Sequence, residues 1–182
     1  EYIPKRNSFD RTPLSLYNVR SEQPAFSGGT SIAFTRHQKV AMQVWSGDSG
    51  YPGDPAYLDF HKKHFTSALR YWRVTDNKAD MMYKMLYVPD WIPEKIDTHA
   101  FHFIKSIETT LLNYRQQTGK TGTLCTPFDT ELFGHWWFEG PQFVKSILRG
   151  LHHSPYVKVV TASEQIDYTK PDEVMAIPES SW

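Results

Sequence analysis

The sequence predicts an α/β fold of parallel strands with flanking helices. Two observations carry that expectation. From Ile96 onward, helical stretches and short apolar runs alternate in the order helix, strand, helix, strand, helix. The helical stretches are bounded by Gly and Pro, and no internal repeat or low-complexity segment interrupts them. At 182 residues the chain is long enough for one domain with its own core.

Taken in order, residues 1–29 carry Pro4, Pro13, Pro24 and the Gly28-Gly29 pair without a sustained period, which predicts an irregular segment. "SIAFTR" (31–36) and "KVAMQVWS" (39–46) alternate or run apolar and read as two strands, with "HQ" between them as a hairpin connection. "GDSGYPGD" (47–54) is a loop. Pro55 suits the first turn of a helix carrying "AYLDFHKKHFTSALRYW", with Asp54 as its cap. From Ile96, the positions Ala100, Phe103, Ile104, Ile107, Leu111 and Leu112 form one apolar stripe that stops before Gly119. "TGTLCTPFD" then reads as a strand and "EGPQFVKSILRGLHH" as a helix with Pro141 near its start. "YVKVVT" (156–161) reads as a strand, and "SEQIDYT" as a short helix capped by Ser163.

Composition narrows the function. Lys plus Arg equals Asp plus Glu, 20 each, and no basic run is long enough for a nucleic-acid footprint. No apolar run approaches the ~20 residues of a membrane span. The expectation is therefore a chain that binds neither nucleic acid nor membrane. One cysteine, Cys125, fits a reducing, cytoplasmic compartment. The chain does not begin with Met, and Glu1 is expected to be an internal boundary. The aromatic content (6 Trp, 10 Tyr, 11 Phe) suits either a ring-rich core or a platform for flat ligands such as sugars.

The densest chemistry lies in "LCTPFDTELFGHWWFEGP" (124–141). In parallel α/β folds, active sites form in the loops after the carboxyl ends of strands. Asp129, Glu131, His135, Trp136 and Trp137 fall in such a loop. If the strand continues, Asp129 and Glu131 point to one side about 7 Å apart, a spacing open to a glycosidase carboxylate pair. On the residues alone, a turn cap at Asp129 beside a structural ion pair at Glu131 is slightly favoured, because Asp-x-Glu is a weak signal.

"TPFDTELFGHWWFEGP" resembles the fourth sequence region of glycoside hydrolase family 57, in the form found in its 1,4-α-glucan branching enzymes. "VAMQVWSGDSGYPGDPAYLDFHKKHFTSALRYWRVTD" (40–76) and "IPESSW" (177–182) resemble further blocks of the same enzymes. The resemblance covers nearly everything from Ser27 onward. It implies the carboxyl-terminal part of an incomplete (β/α)7 barrel: residues 1–26 as an irregular entry segment and 27–182 as a partial catalytic domain. The first barrel strands and a following helical domain would lie outside the chain.

By the same resemblance, Asp129 takes the place of the general acid/base, and burial beside Trp136 and Trp137 would raise its pKa to suit. The nucleophile is a glutamate of an earlier region that nothing here resembles, so Glu131 is left a structural or orienting role. The implied partners are an α-glucan and an amino-terminal segment or second chain bearing that glutamate, which would also cover an open sheet edge. Trp45 and Trp182 match cleft tryptophans, and no metal or other cofactor is implied.

The remaining residues are weighed on their own. His135 is placed to bond a sugar hydroxyl or to orient Asp129. Trp136 and Trp137 are adjacent and cannot share a face of a strand, so Trp136 is assigned to the cleft and Trp137 to the core. Arg36 ends a strand and is a candidate partner of a catalytic carboxylate, and Tyr51 is a candidate cleft wall. Tyr2 and Tyr17 lie where the resembled enzymes carry a loop tyrosine. The spacings His61/His64 and His99/His102 permit a shared helical face, but no Cys cluster or His-Glu-x-x-His accompanies them, so ordinary histidines are expected. "TGKTG" (118–122) reads as a helix-to-strand turn rather than a phosphate loop. Within the same chemistry the alternatives are α-amylase or 4-α-glucanotransferase activity; outside it, a catalytically silent α-glucan-binding module.

Overall fold

The computed structural model describes residues 11–20, 31–76 and 78–177. Tyr2, the Gly28-Gly29 pair and "PESSW", including Trp182, lie outside the described residues. The described residues divide into two compact units: those within 1–37, 111–125 and 160–182 form one, and those within 38–110 and 126–159 the other. Among the described residues, no helix is long and apolar enough to cross a membrane.

The first unit is built on a small mixed sheet, not the all-parallel sheet expected. β1 (Leu16–Arg20) lies between β2 (Ser31–Phe34) and β3 (Val174–Ala176). It runs antiparallel to β2, with Leu16 opposite Phe34, and parallel to β3, with Val19 opposite Met175. β2 falls where the sequence reading put a strand; β1 and β3 do not. Tyr17 on β1 is 1 % exposed, and its hydroxyl donates to the Thr12 carbonyl at 2.7 Å, so it belongs to the core and not to a loop. Asn18 ties β1 to the chain before β3 by donating from Nδ2 to the Pro171 carbonyl (2.8 Å). The expected strand "TGTLCTPFD" reduces to one parallel bridge, Arg36 to Cys125, where the His37 N–H donates to the Cys125 carbonyl at 2.9 Å.

The short helix α4 (Ala162–Tyr168) is capped by Thr161, not Ser163. Thr161 accepts from the Glu164 N–H, and the Glu164 carboxylate reaches back to the Thr161 N–H, a reciprocal capping box. The run 156–161, expected as a strand, has no ladder in the structure. Its β-branched residues favour extended backbone, but a strand is defined by a partner.

The second unit opens with α1 (Gln38–Trp45), which the sequence reading took for a strand. Val40, Ala41 and Val44 are its buried residues, a helical spacing of one, three and four. In eight residues that pattern also passes for alternation, and only the packing decides between them. The helix expected after Pro55 does not form either. Asp54 does cap the Ala56 N–H (2.9 Å), but the backbone then commits its hydrogen bonds across the chain. The Asp59 N–H donates to the Trp72 carbonyl (2.8 Å) and the Val74 N–H to the Tyr57 carbonyl (2.8 Å). A peptide group used in this way is lost to an i, i+4 ladder.

This long excursion is fastened by Lys84, which is buried. Its ammonium has three protons and three acceptors: Asp59 Oδ2 (2.8 Å), the Val74 carbonyl (2.6 Å) and the Asp76 carbonyl (2.8 Å). Burial pushes the Asp59 carboxyl up, but the hydrogen bonds from Lys84 and from the His61 and Lys62 N–H groups outweigh it and hold the carboxyl below its ordinary range.

α2 (Ile92–Thr118) begins in this unit and ends in the first. It covers the predicted stripe and extends it by a turn, burying Ile92, Ile96, Ala100, Phe103 and Ile107. It stops at Gly119, whose φ of +72° is a left-handed helix exit. α3 (Gly140–His152) packs Phe143, Ile147 and Leu151 into the same core. Phe103 meets Phe143 edge-on at 5.7 Å. A side chain on Gly150 would strike Ile104, which accounts for a glycine inside this helix.

Two histidines of α2 hydrogen-bond buried tyrosines. His99 Nδ1 lies 2.8 Å from the Tyr57 hydroxyl, and its Nε2 lies 3.4 Å from Asp54 Oδ2. A neutral His99 protonated on Nε2 satisfies both partners. His102 Nδ1 lies 2.6 Å from the Tyr51 hydroxyl. His61 and His64 sit in the irregular excursion, not on a helix.

Gly134 closes the turn that brings Phe133 beside Trp137. Its φ is +102°, and its N–H donates to the Trp137 carbonyl at 2.8 Å. Gly134→Ala is expected to cost about 1–2 kcal/mol, read as a lower urea midpoint at unchanged slope. Burial holds the His99 imidazole below its ordinary pKa, with Asp54 opposing only in part. A depressed histidine contributes stability above its unfolded pKa of about 6.5, and that stability is lost as pH falls toward the folded value. Urea unfolding is expected to weaken below about pH 6.5 by at most ~1.4 kcal/mol per pH unit from this group. The slope should shrink in His99→Asn.

Candidate functional site

The corner between Asp129 and α3 is built by alternation. Trp136 is 45 % exposed, Trp137 1 %, Phe138 51 % and Glu139 0 %. Trp137 packs against Phe143 (4.8 Å), Tyr57 (5.4 Å) and Phe133 (6.3 Å). Glu139 turns inward and accepts the Leu58 N–H at 2.9 Å. Its burial raises the carboxyl above the ordinary range, and the Leu58 N–H and the nearby Tyr87 hydroxyl offset only part of that. Burial likewise raises the phenols of Tyr51, Tyr57 and Tyr87, so all three are neutral donors at physiological pH.

Asp129 and Glu131 are not on a continuing strand. Asp129 precedes a single 3₁₀ turn over Thr130–Leu132, and its side chain caps nothing there. It is exposed, so the burial expected from Trp136 and Trp137 is absent. Glu131 is exposed as well, and its Oε1 accepts the Trp136 indole N–H at 3.3 Å. Phe128, just before Asp129, lies 6.1 Å from the Trp45 ring and 5.8 Å from Phe133. Trp45, at the end of α1 and not of a strand, thus borders the Asp129 loop. On the other side Trp136 borders it through Glu131.

The remaining candidates fall elsewhere. His135 is exposed and sets its ring edge-on to Trp136 (5.7 Å) and Phe60 (5.4 Å). Tyr51, expected as a cleft wall, is 7 % exposed and stacks on His99 at 4.7 Å. It is a core residue because its ring faces α2 and α3 at once, lying near Phe103 and Phe143. Arg36 belongs to the first unit, where it bridges to Cys125.

Phe60 and Arg70 were not singled out from the sequence. Phe60 lies under the Trp136 ring at 4.4 Å, and the Arg70 guanidinium sits 4.5 Å from the Phe60 ring. Both come from a segment expected to be a helix, so nothing in the sequence reading brought them to Trp136. Glu139 was expected only as the start of the following helix, and its burial was not legible, since a carboxylate after three aromatic residues gives no signal of facing inward.

The surface therefore has an exposed carboxylate, Asp129, in a loop that meets Trp45 through Phe128 and Trp136 through Glu131. Such an arrangement suits a ligand with hydroxyl edges and C–H faces.

No protein-family model matches the chain. It is 37 % identical, over 98 % of its length, to a 1,4-α-glucan branching enzyme of Thermococcus kodakarensis, and spans 27 % of that protein. It is 36 % identical over 83 % of its length to a probable 1,4-α-glucan branching enzyme of Mycobacterium tuberculosis, of which it spans 28 %. Among solved structures, the family 57 branching enzyme of T. kodakarensis, crystallised with glucose, matches at a TM-score of 0.83 with 35 % identity, over 94 % of this chain and 30 % of that one. The branching enzyme of Pyrococcus horikoshii matches at 0.83 with 36 % identity, over 95 % and 31 %. An α-amylase of Thermotoga maritima matches at 0.70 with 33 % identity, over 80 % and 31 %. The chain thus spans about three tenths of the length of these relatives. In sequence and in fold alike, it corresponds to a part of the glycoside hydrolase family 57 branching enzymes.

Proposed function

We propose that this chain is part of a retaining 1,4-α-glucan branching enzyme, with Asp129 as its general acid/base. The observation that carries this reading is the likeness to branching enzymes along nearly the whole chain, 37 % over 98 % of it. Its chemistry centres on the exposed Asp129 loop. Trp45 and Trp136 border that loop and suit an α-glucan. In this reading residues 27–182 are the later part of a (β/α)7 catalytic barrel and 1–26 an entry segment. The single cysteine fits a reducing, cytoplasmic setting, and glycogen or starch would be the α-glucan.

The reaction then runs in two steps. A glutamate outside this chain attacks the anomeric carbon, the C1–O4 bond breaks, and Asp129 gives its proton to the departing oxygen. The 6-hydroxyl of an acceptor glucan then attacks the glycosyl ester while Asp129 takes the hydroxyl proton back. The glutamate is released and an α-1,6 branch remains. Such a mechanism needs the two carboxyls about 5 Å apart. The solvent exposure of Asp129 in this chain fits a site completed by other residues. The likeness to the T. maritima α-amylase favours a second outcome at the same site, with water in place of the acceptor.

Asp129→Asn is expected to lower turnover of amylose at least ~10³-fold while glucan affinity stays within about twofold. Proton NMR of the products separates new α-1,6 linkages from new reducing ends. Affinity lost together with turnover would show that Asp129 binds rather than reacts. A second expectation concerns the missing carboxylate. The isolated chain should be inactive on amylose and gain activity when mixed with an amino-terminal segment bearing the glutamate. Full activity from the chain alone would refute this and point back to Glu131.

A further inference from the structure

We infer that Glu131 is a positioning residue, which together with Phe60 holds the Trp136 indole open as a sugar-stacking face beside Asp129. The inference rests on the glucan reading above and gives the structural or orienting role expected of Glu131 a specific object, the Trp136 ring.

Trp136 is held on three sides. Its indole N–H donates to Glu131 Oε1 at 3.3 Å, and its backbone N–H donates to the Glu131 carbonyl at 3.3 Å. One ring face is covered by Phe60 at 4.4 Å with the planes 35° apart. Phe60 is held in turn, because Arg70 lies against its ring at 4.5 Å and reaches the His135 carbonyl at 3.5 Å. Even so, Trp136 remains 45 % exposed. An exposed indole with free χ angles would lose rotamer entropy on binding a ligand. Here that ordering is already done: besides Phe60, the His135 ring meets the indole edge-on at 5.7 Å, and nearly half of the residue stays open to solvent.

Because the indole N–H is engaged by Glu131, the platform recognises a sugar by its C–H face and not by a hydroxyl. The same contact commits one oxygen of Glu131 to Trp136. That is the geometry of an orienting group, not of a carboxylate that must carry charge or a proton through the reaction. Sugar stacking contributes alike to ground state and transition state, so its loss belongs in KM.

The test uses the active protein that contains this chain, with amylose as substrate. Glu131→Ala, Phe60→Ala and Trp136→Ala should each raise KM about five- to tenfold with kcat within about twofold. Glu131→Gln, which keeps an acceptor oxygen at Oε1, should restore most of the loss. Glu131→Ala should add little on a Trp136→Ala background. An unchanged KM in Glu131→Ala would overturn the platform, while a dead Asp129→Asn would still support the branching reading. A kcat loss of about 10³-fold in Glu131→Ala without rescue by Gln would also overturn it, making Glu131 a reacting carboxylate. If the wild type neither binds nor turns over amylose, the glucan reading and the platform fall together.

Discussion

Much of the second unit depends on the burial of Trp137. This ring is among the largest side chains sealed from solvent, and it meets Tyr57, Phe133 and Phe143 at once. Those residues come from three separate stretches, so the indole joins the 55–87 excursion and the Asp129 corner to α3. With Trp137 pointing inward, the turns on either side of it leave Trp136 and Phe138 outside and return Glu139 to the interior. The outward face near Asp129 is thus a by-product of the inward one. The stretch is a packed corner and a candidate binding surface for a single geometrical reason.

The excursion between α1 and α2 shows how irregular backbone is kept in one shape. It has little regular structure to share its strain, and Ala68 and Thr75 take positive φ without being glycine. Lys84 compensates by gathering two carbonyls and a carboxylate around one buried ammonium. A buried charge is tolerated only when its hydrogen-bonding capacity is met, and here all three protons are used. The result is a loop firm enough to carry Phe60 and Arg70 to Trp136.

Two carboxylates two residues apart serve different ends. Asp129 faces solvent with no cap to make, while Glu131 is tied to an indole. Glu139, a few residues on, is fully buried and locks Leu58 to the start of α3. Environment, not residue type, separates an exposed carboxylate from one bound to an indole and one buried in the core.

What the sequence determined by itself was local or long in period. The stripe from Ile96 to Leu112 and the Pro141 start of "EGPQFVKSILRGLHH" specified α2 and α3, because a helix satisfies its backbone within one segment. The motif around Asp129 carried the likeness to the branching enzymes, and the expectation that one of Trp136 and Trp137 faces in and the other out agrees with the structure. Tertiary structure decided the rest. It made α1 a helix where eight residues fitted either period, and it drew the chain after Pro55 out of a helix by cross-chain hydrogen bonds. It assembled β1 with β3, whose partners are more than 150 residues apart, and sent Tyr51 into the core instead of a cleft. It also set Phe60 under Trp136. Pairing and stacking of this kind need a partner that arrives only when distant segments meet, and no local pattern encodes that partner.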